Sequence, residues 1–268
     1  ILLTLAFLVA IGPFYPSDMS SASFDRFIAI HQSHYGSEKL IKTVETIFKT
    51  LVHFFEGTRG VGSELPVGLK QLADKISSAR YILRFHGGGC GLLAEVHNLQ
   101  NLTYLGGYES PMIKQIFYLK FFAMLQYFSH ENLAFLGWSA PDLIGKRLGF
   151  LGGADELGRR SAYGWNAYLV MDIYAVRLKF RELARLEKTV RAGRHTAKAK
   201  DKALAMIDRT RRALWFGLVT NVAFLIPASQ HMLTPDSKFR IVPRWLMLLS
   251  DVVENITGYY TLWNGSNA

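Results

Sequence analysis

Few residues in this chain have the types and spacing that enzyme chemistry needs. The tract His86-Gly-Gly-Gly-Cys-Gly has the composition of an oxyanion loop, in which backbone N–H groups bind the charge on an attacked carbonyl oxygen. Such a loop serves a serine presented in a Gly-x-Ser-x-Gly turn. The stretch Gly137-Trp-Ser-Ala-Pro141 has Pro in place of the last Gly. We therefore interpret the glycine tract as the end of a helix followed by a turn.

The histidines do not form a metal site by their spacing. His130-Glu131 lacks the second histidine of a zinc-binding His-Glu-x-x-His helix, because residue 134 is Ala134. His31 and His34 have no third ligand close in sequence. With no phosphate-binding glycine loop and no paired-carboxylate signature, we expect a non-enzyme with no catalytic residue, no bound metal and no cofactor.

Positive charge is concentrated in the segment 177–212, which we call the basic segment. It holds 13 Lys and Arg against 4 Asp and Glu, a surplus of nine within a formal net charge of +10. Apolar stretches flank it: Ala162–Val176, whose one formal charge is Asp172, and Ala213–Ser229, which has none. A basic segment between apolar stretches indicates that this part of the chain binds a membrane surface. We expect no nucleic-acid partner, because no reading motif accompanies the charge.

Composition and hydrophobic pattern predict an all-α membrane protein. Half of the residues are hydrophobic, the mean hydropathy is +0.12, and the single Cys90 excludes an internal disulfide framework. No apolar stretch is a clean span of roughly 20 residues, so we expect amphipathic N-terminal helices and one to three short membrane-associated or membrane-spanning helices. The predicted regions are 1–23, an apolar segment and linker; 24–138, an amphipathic helical region; 139–161, a Gly-rich linker; 162–263, a membrane-associated helical region containing the basic segment; and 264–268, a tail.

The first residues, Ile1–Ile11, are apolar and uncharged. They are about half as long as a membrane-spanning helix, and no basic region precedes them. We interpret them as a peripheral anchor or as a gene-model artefact.

An amphipathic helix is predicted from Glu38, after a stop and N-cap at Gly36-Ser37. Its apolar side chains fall on one side of the helix and its lysines on the other. This pattern suits either a helix lying in a membrane interface or, more commonly, a core-facing helix of a bundle. The apolar set includes Leu40, Val44, Ile47, Phe48, Leu51 and Phe55, and the lysines are Lys39, Lys42 and Lys49.

Three further helices follow in the sequence pattern. The flexible connection Gly57–Gly68 precedes a helix from about Leu69 to Phe85, and Ser110-Pro111 is a cap and first turn for the next. In the last helix, over Val242–Trp263, three polar residues share one stripe and are expected to face other helices. They are Asp251, Glu254 and Asn255.

The order of these patterns resembles the peroxin eleven family, nearer its gamma type than its alpha or beta types. The amphipathic helix leads to Ser78-Ala-Arg-Tyr-Ile-Leu-Arg84, then to the apolar helix ending in Tyr127-Phe-Ser-His-Glu-Asn-Leu-Ala-Phe-Leu-Gly-Trp138, and then to Pro243-Arg-Trp-Leu-Met-Leu-Leu249. The resemblance covers roughly Phe24 to Trp263. It rests on the order in which these loosely defined patterns follow one another rather than on any single motif.

The resemblance implies a peroxisomal membrane protein that elongates and constricts the organelle before fission. It implies that the amphipathic helix enters the outer half of the bilayer, and that the partners are an anionic phospholipid membrane, further copies of the chain as a homo-oligomer, and the organelle fission machinery. Carried over to this sequence, the insertion face is Leu40, Val44, Ile47, Phe48, Leu51 and Phe55, and the headgroup contacts are Lys39, Lys42 and Lys49.

Two other functions remain open on the sequence. One is a passive pore for small metabolites in the same membrane, and the other is a soluble helical scaffold that binds an acidic partner through Arg177–Arg212. The topology is also open, because the positive-inside rule places the basic segment in the cytosol. Two spans with both termini cytosolic, as the resemblance implies, place it in the lumen. Residues expected to line the pore are Asp172, Asn221, Asp251, Glu254 and Asn255.

Overall fold

Every regular element in the described part of the chain is helical, so the predicted all-α fold is confirmed. The computed structural model describes residues 28–30, 32–86, 110–193, 196–234, 236–239 and 241–265, together with Asp25, Val96, Leu99 and Gln100. Ile1–Ile11 and the glycines after His86 lie outside these residues. The helices are α1 (His34–Arg59), α2 (Glu64–His86), α3 (Pro111–Ser139), α4 (Gly153–Ala192), α5 (Ala197–His231) and α6 (Arg244–Gly265).

Helix α1 begins earlier than the sequence predicts. Ser33 is the N-cap, and its Oγ accepts a hydrogen bond of 3.0 Å from the backbone N–H of Gly36. The predicted stop and cap at Gly36-Ser37 is wrong, because both residues lie inside the helix. A Cβ at Gly36 would overlap the carbonyl oxygen of Ile30, so this glycine permits a close backbone approach.

The turn between α1 and α2 is shorter than the predicted connection Gly57–Gly68. Helix α1 continues to Arg59, Gly60 adopts a positive φ of 90°, and α2 begins at Glu64. Pro66 lies in the first turn of α2, where its missing N–H costs no helical hydrogen bond.

The starts and ends of the later helices agree better with the sequence. Helix α3 begins with Ser110 as N-cap and Pro111 as its first residue, as predicted. A π-helical turn, Pro141–Gly145, and a 3-10 turn, Arg147–Leu151, lead to α4, whose first turns include residues 153–161 of the predicted linker. The basic segment is helical on both sides of Gly193.

Each helix packs against the next one in the chain, but the contact between α2 and α3 is small. Helix α1 pairs with α2, α3 with α4, α4 with α5, and α5 with α6, and α6 also packs against α1. Helix α2 meets α3 at only a few residues. The α1–α2 hairpin is therefore held to the remaining four helices mainly through α6.

Candidate functional site

The structure places two of the three predicted headgroup lysines in the interior, between α1 and α6. Lys39 is 2 % exposed and pairs with Glu254. The Nζ of Lys42 lies 2.7 Å from Oε2 of Glu254 and 3.5 Å from Oδ1 of Asp251. Burial lowers the pKa of the Lys42 amine to about 8, although Asp251 raises it. In this arrangement Lys39 and Lys42 face carboxylates, so contact with lipid headgroups requires α1 to leave α6.

Lys49, the third predicted headgroup lysine, lies nearer the surface. Its side chain is 41 % exposed, and its Nζ lies 2.6 Å from Oε1 of Glu45 one turn earlier in α1. Lys49 therefore reaches the surface while α1 is docked, and its contact with lipid headgroups stays a prediction.

The predicted insertion face of α1 is partly covered. Phe48 is buried at 3 % exposure, whereas Phe54, at the edge of the same side, is 60 % exposed. The contact of this face with lipid stays a prediction. The other members of the face are half-buried: Leu40, Val44, Ile47, Leu51 and Phe55.

A second ion-pair cluster holds α1 to α2. The guanidinium of Arg80 in α2 lies 2.7 Å from Oε1 of Glu38 and 2.7 Å from Oε2 of Glu45, both in α1. Burial raises the pKa of the Glu38 carboxyl, but the charges of Arg80, Arg84 and Lys39 outweigh it and hold that pKa at about 2. These ion pairs therefore join the two helices of the hairpin towards its open end, away from the turn at Gly60.

Arg84 extends this cluster to α3. Its Nη1 lies 2.9 Å from Oε1 of Glu131 and donates a hydrogen bond of 2.6 Å to the hydroxyl of Tyr127. Tyr127 in turn donates to Glu131 at 2.6 Å. Together with the ring contacts of Tyr81 and Phe85 with Phe135, this triad joins the hairpin to α3.

Asp172, the charge inside the apolar stretch Ala162–Val176, has partners on both neighbouring helices. It pairs with Lys120 of α3, and its Oδ2 accepts a hydrogen bond of 2.5 Å from Nδ2 of Asn221 in α5. This arrangement explains how a carboxylate occurs in an apolar segment, because charge and hydrogen bonding are satisfied between the helices.

The residues proposed to line a pore fall into two separate groups. Asp172 and Asn221 meet between α3, α4 and α5, whereas Asp251, Glu254 and Asn255 face α1, where Asn255 donates to Oγ1 of Thr46 at 3.0 Å. A cavity of about 810 Å³ lies between the hairpin and the other helices. Asp251 lines it, together with Lys49, Arg84 and Glu131.

The basic segment forms the joined ends of α4 and α5, which we call the basic hairpin. Leu183 and Ile207 are buried within it, and Glu187 pairs with Arg211 across the two helices. It is a helical pair in which most of the described cations are exposed. Exposed examples are Arg181, Arg185, Lys188, Lys198 and Lys202.

Two features bear on the predicted absence of a metal and on membrane crossing. Among the described residues, no group of three or more His, Cys, Asp or Glu side chains is arranged to hold a metal ion. Helix α5 is the one described helix that is long and apolar enough, by length and composition, to cross a membrane.

Sequence reasoning predicted the polar stripe of α6 but missed its partner. The expectation that Asp251, Glu254 and Asn255 face another helix is confirmed by their contacts with α1. The missed signal is that Lys39, Lys42 and Thr46 also share one stripe, at the spacing i, i+3 and i+7.

Comparison with known proteins gives one match. Residues 24–263 match the family model described as Peroxisomal biogenesis factor 11 (PEX11), and these residues are most of the chain. No curated protein sequence matches the chain. No solved structure matches it either. The chain therefore belongs to the Peroxisomal biogenesis factor 11 family, a family of biogenesis factors rather than enzymes, and is a peroxisomal membrane protein involved in peroxisome proliferation.

Proposed function

We propose that this protein, as a relative of the gamma type, curves and elongates the peroxisomal membrane by inserting α1 into the membrane interface. Self-association then gathers the inserted helices, and the fission machinery acts on the narrowed membrane. The observation that carries this proposal is the way in which α1 is held. Its lysine face is docked on α6 by ion pairs, and most of its apolar face is only half covered.

Ion-paired docking makes the release of α1 chemically reasonable. The amines of Lys39 and Lys42 face carboxylates in the bundle, and lipid phosphates are equivalent anionic partners for them at a membrane surface. The apolar face then exchanges partial contact with protein for contact with acyl chains. Because inserting the helix expands one leaflet relative to the other, the exchange favours curvature.

The test is tubulation of liposomes that contain the full-length protein. We expect Leu51→Glu with Phe55→Glu to abolish tubulation, because two carboxylates on the insertion face oppose entry into hydrocarbon. Thr50→Glu is the matched control, since Thr50 is the neighbour of Leu51 in sequence and is exposed. Helicity of each variant is checked by circular dichroism. Undiminished tubulation by the helical double variant would overturn the assignment of the insertion face.

A pore is the second candidate function, and the cavity of about 810 Å³ favours it. Its lining includes charged side chains from five helices, among them Lys49, Arg84, Glu131, Arg159 and Asp251. Conductance across planar bilayers that contain the purified protein tests this function, and Glu131→Gln should alter the ion selectivity of any current. A soluble scaffold is set aside, because the family consists of membrane proteins.

A further inference from the structure

In the four helices α3–α6, several polar side chains are buried beside apolar ones, and many large apolar side chains are exposed. Lys120, Asn166 and Asn221 are among the buried residues, at 7 %, 9 % and 8 % exposure, whereas Phe122, Val170 and Ile256 are more than half exposed. A protein folded in water has the opposite preference, because burying polar groups costs free energy and exposing apolar groups gains none.

The exposed apolar residues form a stripe on each of the four helices. Apart from the adjacent Tyr118 and Leu119, their spacing is three, four or seven residues, so each stripe runs along one face. The residues are Tyr118, Leu119 and Phe122 on α3; Tyr163, Val170 and Tyr174 on α4; Trp215, Val219 and Val222 on α5; and Trp245, Leu249, Val252 and Ile256 on α6.

Cross-helix contacts place these stripes at one level, which defines an apolar belt. Lys120, Asp172 and Asn221 meet across α3, α4 and α5, and Thr220 of α5 donates to Thr257 of α6 at 2.7 Å. Each stripe has members within a few residues of these positions. The stripes therefore lie at a similar level on the four helices, and on α6 the stripe is separate from the residues that face α1.

Aromatic residues mark both ends of the belt. At the end next to the basic hairpin lie Tyr118, Tyr174 and Trp215, and at the opposite end lie Trp138 and Trp245. Tyr118 and Trp138 are 20 residues apart on α3, which is about 30 Å of helix. This is the thickness of the hydrocarbon core of a bilayer, and Trp and Tyr are enriched at its two interfaces.

We propose that α3, α4, α5 and α6 cross the membrane together as one four-helix unit, with lipid acyl chains covering the apolar belt. Of these four helices, only α5 has a mean hydropathy high enough to indicate a membrane span. In the other three, inward-facing polar residues lower the mean hydropathy. Lipid fits the belt better than a second protein does, since the aromatic residues lie at both ends and the cations begin at Arg177, just beyond one end.

Four crossings also reconcile the two topologies that the sequence left in conflict. The start of α3, the α4–α5 turn and the end of α6 all lie at the same end of the unit, because neighbouring helices are antiparallel. The basic hairpin and the end of α6 are then both cytosolic, in agreement with the positive-inside rule. The proposal depends on the membrane location of the family and not on the insertion of α1.

Cysteine substitution in the full-length protein in liposomes tests the proposal. In a Cys90→Ser background, single cysteines replace Leu119, Val170 and Ile256, one on each helix that hydropathy does not select. Val222→Cys in α5 is the membrane reference, and Lys188→Cys in the basic hairpin is the aqueous reference. Each site is exposed, so the substitutions leave packing unchanged. Each variant is used in two experiments. In the first, the protein in liposomes is treated with a membrane-impermeant maleimide. In the second, the cysteine is labelled with a fluorophore after denaturation, and the protein is refolded in liposomes and probed with lipid-borne nitroxide quenchers.

We expect the three test cysteines to react with maleimide at least tenfold more slowly than Lys188→Cys and to be quenched as strongly as Val222→Cys. Rapid reaction at Val170 and Ile256, with protection at Val222, would overturn the proposal in favour of α5 as a single span. Protection from maleimide without quenching would also overturn it, because a protein partner or a second copy would then cover the belt.

Discussion

The Nζ of Lys42 in α1 lies 2.7 Å from Oε2 of Glu254 in α6, and both side chains are almost closed to solvent. Lys39 pairs with the same carboxylate from one turn earlier. One acidic residue of α6 therefore contacts two buried cations of the helix that we propose to enter the membrane, and Asp251 lies 3.5 Å from the second. The balance between docked and inserted α1 depends on this carboxylate.

Glu254→Gln should release α1 from α6. Removing one partner of a buried ion pair typically costs about 3 to 5 kcal/mol, because the remaining charges are left without compensation. We expect a longer and broader distance distribution between spin labels on Thr50 of α1 and Val252 of α6, and stronger tubulation of liposomes. Glu64→Gln, an exposed carboxylate in α2, is the control. An unchanged distance distribution would show that α6 holds α1 by other contacts.

Acid should loosen the α1–α2 hairpin through Glu38. The pKa of this carboxyl falls from 4.5 to about 2 in the folded hairpin, so its stabilising contribution is complete above pH 4.5 and is lost as the pH falls towards 2. A shift of this size corresponds to about 3 kcal/mol. Proteolysis by pepsin between pH 4.5 and 2 measures the opening. Glu38→Gln should open the hairpin at neutral pH and flatten the acid dependence, and a persistent acid transition in that variant would assign it to another group.

The sequence predicts the helices better than it predicts their partners. The apolar and basic sides of α1 are visible in its own residues, because helical periodicity is a local property. The pairing of Arg80 with Glu38 and Glu45 joins residues more than thirty positions apart and has no local signal. The prediction of a helix stop at Gly36 was wrong for a related reason. A glycine that permits close packing on Ile30 cannot be distinguished, from the sequence alone, from a glycine that ends a helix.

Gly164 should be essential for the packing of α3 on α4. A Cβ at this position would lie 2.6 Å from the carbonyl oxygen of Ala123 and 2.9 Å from the backbone nitrogen of Tyr127. Gly164→Val should therefore separate the two helices and destabilise the protein by at least about 1 to 3 kcal/mol, as overpacking typically does. Thermal unfolding in detergent measures the loss. Gly217→Val in α5 is the matched control, because no atom lies near its Cβ position. Equal loss in both variants would place the effect in helix propensity rather than in close packing.

The tip of the basic hairpin should be open to trypsin from the cytosolic side of intact peroxisomes. Residues 177–192 of α4 lie beyond the apolar belt and extend for about 24 Å, whereas the headgroup layer on each side of the bilayer is only about 5 to 8 Å thick. Lys198, exposed near the tip, is therefore in water whichever way the unit is oriented. Cleavage without detergent is the expected result. Lys198→Gln with Lys202→Gln should slow cleavage at the tip, while an uncharged substitution at Met206 should not. Cleavage that requires detergent would place the hairpin in the lumen and, with four crossings, the end of α6 with it.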